Sequence, residues 1–216
     1  MDRPLECSPR RCLVLIRHGQ SQANADGLFT GLLDSPLTER GRREATAAGR
    51  RLRAEGLHVD GVFTSTLVRA IATTRLALDA LGRADLVARR DAALDERDYG
   101  VLSGLDRQTA DRRYGAERVE AWRRSYAGRP PDGESLKDTV ARIVPFYLRC
   151  IQPAAMRGPT LVVGHGNALR ALVMALEGLG PSDVEALEIA TGSIRVYGFG
   201  PDTTIATCRV IGGPLE

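Results

Sequence analysis

The chain has 216 residues, of which 43% are hydrophobic and 26% charged, and its formal net charge is +3. This length can bury a full hydrophobic core, and the composition is that of a soluble globular protein. The mild charge, spread along the chain, and an aromatic content of 5% do not indicate nucleic-acid binding. Lys137 is the only lysine among 30 lysine and arginine residues, so the basic groups are mostly planar guanidinium groups that suit phosphate or carboxylate.

The chain also lacks the usual signs of export or membrane insertion. The N-terminal sequence MDRPLECSPRR has no apolar core typical of a signal peptide, and no apolar run reaches membrane-spanning length. The cysteines form no CxxC pair and no metal-ligand spacing, which indicates reduced thiols; they are Cys7, Cys12, Cys150 and Cys208. We therefore expect a cytoplasmic protein that does not bind a membrane.

The first half of the chain alternates short apolar runs with helical patterns. A strand is predicted at 12–16 (CLVLI), followed by a polar, turn-rich segment. Thr38 is expected to cap a helix that ends at Gly56, and a second strand at 61–65 leads into a helix that ends at Gly82. The apolar faces of these two helices carry Ala45, Ala48 and Leu52 in the first, and Leu67, Ala70, Ile71, Thr74 and Leu78 in the second.

Residues 95–134 are different, because they are polar, charged and rich in aromatics and glycine. We expect a cap-like insertion of short helices over the sheet. A longer helix then follows from about Leu136 to Ile151, with a kink expected at Pro145.

The last part of the chain returns to strands and helices. A strand TLVV, a tight loop GHGN and an apolar helix are predicted in that order. Ser182 and Glu185 fit a capping box for one more short helix, and strands at 193–199 and 204–211 follow. The whole pattern predicts an α/β fold with a mostly parallel central sheet and helices on both faces, in a single domain over residues 1–216.

Charged residues follow three of the predicted strands. Arg17-His18-Gly19 comes after the first, Arg69 lies in the first turn after the second, and Gly164-His165-Gly166 follows a later one. The carboxyl ends of strands in open α/β sheets are where ligands bind, so these side chains should share one crevice. Two arginines and two histidines suit a doubly charged phosphoryl group better than a single carboxylate, and the glycines let backbone amides approach it.

A metal site is the alternative explanation for paired histidines, but it needs a third ligand at suitable spacing. His58, the remaining histidine, precedes a strand, and no HExxH or DxD pattern exists. Without a metal, a neutral imidazole with a pKa near ~6.5 can act as nucleophile. Glu96 is the best candidate for a proton donor to the leaving oxygen. Each of these residues alone has an ordinary structural explanation, whereas their combination indicates a functional site.

The chain resembles the cofactor-dependent phosphoglycerate mutases of the histidine phosphatase superfamily. The resemblance lies in LIRHGQSQAN, FTGLLDSPLTERG, FTSTLVRAIAT, LDERDYGVLSGLD, YGAERVEAWRRSY and VVGHGNALRAL, and it extends from about residue 12 to about residue 199. It implies interconversion of 3-phosphoglycerate and 2-phosphoglycerate, with 2,3-bisphosphoglycerate as primer and no metal. His18 would be the phosphorylated nucleophile and Glu96 the general acid and base.

The resemblance also implies roles for the surrounding residues. Arg17, Arg69 and His165 would hold the transferring phosphoryl group, assisted by Asn24 and the Gly166 backbone. The rest of the substrate would contact Ser21, Thr30, Gly31, Tyr99, Arg107, Arg123, Arg124 and Asn167. Family members commonly form dimers and tetramers, so the resemblance implies a homodimer or homotetramer.

Some positions depart from the family pattern. Arg107 stands where most of these mutases have lysine, and Gln20 and Ala23 replace a carboxylate and a tryptophan. The chain also ends at RVIGGPLE, without the extended tail of many mutases. A more open site would favour hydrolysis of the phosphohistidine, so a histidine phosphatase for a small phosphorylated metabolite is the alternative. A catalytically silent sensor of phosphorylated metabolites is a further alternative.

Overall fold

The fold is built around one six-stranded sheet. The computed structural model describes residues 11–211, and within them the strand order is β3-β2-β4-β1-β5-β6. The strands are β1 (Cys12–Arg17), β2 (Gly61–Thr64), β3 (Arg89–Arg90), β4 (Thr160–Gly164), β5 (Ile194–Phe199) and β6 (Ile205–Ile211). The first four are parallel to one another, whereas β5 and β6 are antiparallel to their neighbours. The predicted α/β class with a mostly parallel sheet is confirmed.

Helices connect these strands. They are α1 (Gln22–Ala25), α2 (Glu39–Ala54), α3 (Val68–Leu81), α4 (Arg107–Tyr114), α5 (Ala116–Arg124), α6 (Leu136–Phe146), α7 (Gln152–Arg157), α8 (Gly166–Glu177) and α9 (Pro181–Ala186). Short 3₁₀ turns lie at Ala92–Leu94 and Gly100–Leu102. As predicted, the Thr38 hydroxyl caps α2 by accepting from the Gly41 N–H, and Gly82 ends α3 in the left-handed conformation.

The central strands are buried on both faces, which explains their continuous apolar sequences. In β1, Leu13 and Leu15 belong to the core formed with α6 and α8, whereas Val14 and Ile16 belong to the core formed with α2 and α3. Successive side chains of a strand point to opposite faces, so one strand supplies both cores. A third, smaller core lies under α4 and α5 and contains Phe29, Leu102, Ala110 and Val119.

Several local predictions were wrong. The proposed capping box at Ser182 is not formed; Gly180 is the N-cap of α9, and its N–H donates to Asp183 Oδ2 at 3.1 Å. Pro181 takes the first helical position, where its missing N–H costs nothing, and this sets the helix start. The GHGN segment is not wholly a loop, because α8 begins at Gly166. The short elements α1 and β3 were not predicted.

The long helix after Leu136 runs through Pro145 and changes its hydrogen-bond pattern just beyond it. Tyr147–Ile151 form a π-helical turn between α6 and α7. Pro145 and Pro153 have no N–H to donate to the preceding turn, so this stretch cannot keep a complete α-helical ladder.

The loop after β1 packs very closely on α2. A Cβ placed on Gly19 would lie 2.1 Å from the Gly41 carbonyl oxygen, and one on Gly41 would lie 2.0 Å from the Gln20 carbonyl oxygen. Only glycine fits at either position, so the backbone after β1 is held against α2.

Some sequence predictions concern residues outside 11–211. Cys7, the N-terminal segment and the chain after Ile211 lie outside the described residues. No helix within the described part is long and apolar enough to cross a membrane.

Candidate active site

His18 is the centre of the site and is 2% exposed. Its Nδ1 lies 2.6 Å from the carbonyl oxygen of Gly19. A carbonyl oxygen can only accept, so Nδ1 carries the hydrogen and Nε2 of the neutral ring keeps its lone pair. The adjacent Gly19 N–H donates to the Thr73 hydroxyl at 3.1 Å, which fixes the backbone beside the ring. This tautomer is the one a nucleophilic histidine needs.

His165 lies beside His18 in the opposite tautomer. The two ring centroids are 4.9 Å apart, and His165 is fully buried. Arg69 Nε donates to His165 Nδ1 at 3.2 Å, so His165 Nε2 must be the protonated nitrogen, and it lies 2.6 Å from the Ser65 hydroxyl oxygen. Ser65 thus sets the orientation of a ring that faces the nucleophile.

Two arginines direct positive charge at this centre. Arg69 is 1% exposed, and its terminal nitrogens donate to the carbonyl oxygens of Leu33 at 2.7 Å and Gly31 at 2.9 Å. Arg17 donates through Nη1 to the carbonyl oxygen of Ile189, and its buried Nε has no hydrogen-bond partner among the described residues. A buried guanidinium donor without a partner is costly unless an anion accepts from it.

Glu96 approaches the same centre from the segment that follows β3. Its carboxylate accepts from the backbone N–H of Asn167 at 3.0 Å and from its neighbour Arg97 at 2.9 Å, and the residue is 8% exposed. A Cβ on Gly166 would lie 3.6 Å from the Glu96 carboxylate and 3.5 Å from Cζ of Arg17. Both groups therefore lie in van der Waals range of the N-terminus of α8.

These residues open onto a cavity of about 410 Å³. Most of the predicted site residues line it: Arg17, His18, Asn24, Thr30, Gly31, Arg69, Glu96, Tyr99, Arg107, Arg123, Arg124, Gly166 and Asn167. His165 lies behind His18 rather than on the cavity wall. Ser21 is fully buried and caps α1, where its hydroxyl accepts from the Asn24 N–H at 3.2 Å.

The outer part of the cavity carries arginines from α4 and α5. Arg107 pairs with Asp111 at 2.9 Å and with Glu120 at 2.7 Å. Arg123 and Arg124 lie at the end of α5, 3.8 and 3.7 Å from Glu120. These three arginines are 35–41% exposed, which makes them accessible from the cavity mouth.

Arg97 is the buried residue that fixes the C-terminal end of α5, where Arg123 and Arg124 lie. It is fully buried, lies 4.5 Å from the centroid of the Tyr99 ring, and donates to the carbonyl oxygens of Trp122 at 3.0 Å and Arg123 at 3.1 Å. A cation at these last carbonyls of α5 stabilises the helix end. The segment that carries Glu96 therefore also fixes the arginines of α5.

Four residues of the site were not predicted from the sequence: Ser65, Arg97, Arg170 and Glu188. Arg170 lines the cavity, donates to Asn167 Oδ1 at 3.0 Å and to the Val184 carbonyl at 3.1 Å, and so joins α8 to α9. Because Oδ1 of Asn167 is thus an acceptor, its Nδ2 donates to the Tyr99 hydroxyl at 3.2 Å. The spacing of Arg170, three residues after Asn167 on one helix face, was the available signal.

Replacing Arg170 with methionine is expected to lower the free energy of unfolding by about 2 kcal/mol, because it leaves buried acceptors without a donor. It should also weaken substrate binding, because the Asn167 amide loses its fixed orientation. Urea unfolding and KM measurements check this. Arg170→Lys, which keeps the charge, should recover part of the stability, and wild-type stability in Arg170→Met would contradict the prediction.

Burial and neighbouring cations make both histidines hard to protonate. Burial is the main cause that lowers the pKa of His18 well below its usual value, and the charges of Arg17 and Arg69 add to it. The pKa of His165 is likewise lowered, first by burial and then by His18, Arg69, Arg17 and Arg142. His18 is therefore neutral at physiological pH, as a nucleophile must be.

The lowered pKa values predict a pH-dependent stability. In the unfolded chain each histidine titrates near ~6.5, so below that pH the unfolded state binds more protons than the folded state. The stabilising contribution of the neutral histidines should be fully present above pH ~6.5. Below that pH the free energy of unfolding should fall, by up to about 1.4 kcal/mol per pH unit for each histidine. Urea unfolding across this range measures the slope, with exposed His58→Ala as control. A flat profile would contradict the prediction.

A buried imidazole with an available lone pair, two neighbouring arginines of which Arg17 has an unpartnered Nε among the described residues, and one carboxylate define a phosphoryl-transfer site. Within residues 11–211, no three His, Cys, Asp or Glu side chains are grouped as metal ligands would be. The family model "Histidine phosphatase superfamily (branch 1)" matches residues 13–209. The chain belongs to the histidine phosphatase superfamily, as its motifs predicted.

Comparison with individual proteins shows which ones the chain is similar to in sequence and in structure. The chain is 52% identical over 204 residues to the "2,3-bisphosphoglycerate-dependent phosphoglycerate mutase" of Mesorhizobium japonicum, covering 94% of this chain and 99% of that protein. Among solved structures it is similar to "Mycobacterial hydrolase 1", with a TM-score of 0.80 and 28% identity over 95% and 99% of the two chains. A mycobacterial glucosyl-3-phosphoglycerate phosphatase in complex with VO3 gives a TM-score of 0.77 and 28% identity, covering 95% and 100%. The recognised resemblance to the mutase branch is confirmed by the first of these.

Proposed function

We propose that this chain interconverts 3-phosphoglycerate and 2-phosphoglycerate through phosphorylation of His18 Nε2. The observation that carries the proposal is the tautomer of His18, which leaves Nε2 with its lone pair. The 52% identity to a named mutase over nearly the whole length supports the choice of substrate.

The residues around His18 supply the charge that phosphoryl transfer needs. Arg17 and Arg69 neutralise the transferring group, and the Arg17 Nε, which has no partner among the described residues, is a ready donor. His165, oriented by Ser65 and Arg69, lies beside the His18 ring and keeps the nucleophile in position. Glu96 delivers a proton to the leaving oxygen and takes one from the attacking hydroxyl.

The outer cavity binds the rest of the substrate. Arg107, Arg123 and Arg124 suit the carboxylate and the second phosphate, and Thr30, Tyr99 and Asn167 supply neutral hydrogen-bond partners. We propose that residues 95–134 form a cap over the sheet and supply most of the residues of this outer cavity. The same cationic lining fits 2,3-bisphosphoglycerate, which supplies, when bound, the phosphoryl group that primes His18.

A histidine phosphatase is the second candidate function, and the similar solved structures favour it, because one of them is named a phosphatase. The two activities share the same first step and differ in what removes the phosphoryl group from His18. A mutase must return it to glycerate before water attacks, so exclusion of water from the cavity decides the outcome.

Parallel assays on purified protein distinguish the two functions. With 3-phosphoglycerate as substrate, one assay follows 2-phosphoglycerate and the other follows inorganic phosphate, each with and without catalytic 2,3-bisphosphoglycerate. Stimulated isomerisation with little phosphate release is the expected result. Phosphate release without isomerisation would overturn the mutase and support the phosphatase.

We also propose that the protein works in the cytoplasm as a homodimer or homotetramer. Light scattering on the purified protein tests the second part. A monomer at assay concentration would contradict it.

A further inference from the structure

Glu188 lies at the mouth of the cavity, on the segment that follows α9. Its side chain is 68% exposed. The next residue, Ile189, is buried, and its carbonyl oxygen accepts from Arg17 beside the reaction centre. The backbone here is therefore held at the inner site while the Glu188 carboxylate lies at the entrance.

The partner of Glu188 is the cap arginine Arg124. Arg124 Nη1 donates to Glu188 Oε1, whereas Glu120 approaches Arg124 Nε only to 3.7 Å. Glu120 makes its short contact, 2.7 Å, with Arg107 instead. Glu188 is thus the main counterion of Arg124, and it reaches that arginine from a segment 64 residues further along the chain.

The surrounding charges keep Glu188 ionised. Burial alone would raise its pKa, but the hydrogen bond from Arg124 and the charges of Arg124, Arg170 and Arg123 outweigh burial and hold the pKa below its ordinary value. All three arginines line the cavity. The Glu188 carboxylate therefore lies in the positive electrostatic field of these arginines, the same field that would attract an anionic group of a ligand.

We propose that the Glu188 carboxylate competes with the non-transferred anionic group of the substrate for Arg124 and so determines how strongly the site prefers ligands with a second anion. The inference rests on the proposed function, because it assumes that the ligand is a phosphorylated carboxylic acid. A partly exposed ion pair contributes little to stability, so an incoming carboxylate or phosphate can replace it.

Two ligands and two variants test this proposal. Calorimetry on unprimed protein compares 3-phosphoglycerate, which has a carboxylate, with glycerol 3-phosphate, which does not. Glu188→Gln should bind 3-phosphoglycerate about 2- to 5-fold more tightly at low salt, with unchanged affinity for glycerol 3-phosphate, and salt should reduce the difference. Glu117→Gln, the same charge change in the exposed first turn of α5, should leave both affinities unchanged.

Two outcomes would overturn the proposal. If Glu188→Gln increased the affinity for both ligands equally, Glu188 would act only through the overall negative charge it adds to the cavity. If Glu188→Gln bound 3-phosphoglycerate more weakly than wild type, Glu188 would assist binding rather than compete with it. Because the readout is binding, a wild-type protein that binds 3-phosphoglycerate but does not isomerise it would overturn the proposed function alone.

Discussion

Replacing His18 with asparagine is expected to lower kcat/KM for phosphoryl transfer by at least about 10⁴-fold, because it removes the nucleophile. Asparagine is the informative choice. Its side-chain N–H can donate to the Gly19 carbonyl oxygen as Nδ1 of His18 does, so the hydrogen bond is kept while the Nε2 lone pair is lost. His18→Ala would remove both and leave a cavity in the buried site.

Three measurements make this result specific. Phosphorus NMR of wild-type protein mixed with 2,3-bisphosphoglycerate should show a phosphohistidine that His18→Asn lacks. Urea unfolding should show that the variant is folded. His58→Ala, an exposed histidine between α2 and β2, should retain full activity. Residual isomerisation within about 10-fold of wild type in His18→Asn would exclude His18 as the nucleophile.

The residues that follow a strand were the most predictable part of the site. Arg17 is the last residue of β1 and His18 follows it, whereas His165 directly follows β4. The strands β1 and β4 are neighbours, with Arg17 opposite Gly164. Strand ends are readable from an apolar run, and parallel strands bring their carboxyl ends to one edge. That physical rule was enough to join residues almost 150 positions apart.

Partners that depend on sheet register or on loop placement were not predictable. Ser65 meets His165 because β2 and β4 pair with Thr64 opposite Val163, and nothing in the spacing of the two segments encodes that register. The pairing of Glu188 with Arg124 depends likewise on how the segment after α9 lies against α5. Neither contact has a local sequence pattern.

Ser21 shows how one residue type can serve two purposes. A serine shortly after a phosphate-binding histidine suits a ligand contact, but serine is also a preferred N-cap. In the structure its hydroxyl accepts from Asn24 N–H, and Asn24 Oδ1 accepts from Ser21 N–H at 3.2 Å. The local capping box accounts for the buried hydroxyl, and Asn24 is the member of the pair that lines the cavity.

The second large effect is expected from Glu96→Gln. The amide oxygen can still accept from the Asn167 and Arg97 N–H groups, so the local structure should persist, but the side chain no longer exchanges a proton with the substrate. Loss of general acid catalysis lowers the rate by about 10²- to 10⁴-fold when the leaving group is a poor one, such as the glycerate alkoxide.

The leaving group separates this role from a structural one. Phosphorylation of His18 by p-nitrophenyl phosphate releases a phenolate that needs little protonation, so Glu96→Gln should slow this reaction far less than it slows isomerisation of 3-phosphoglycerate. If the rates of both reactions fell equally, Glu96 would act by shaping the site rather than by proton transfer.

Because water attack on the phosphohistidine also needs a base, Glu96→Gln should in addition accumulate phosphorylated protein. That species distinguishes a missing proton acceptor from a site that never became phosphorylated.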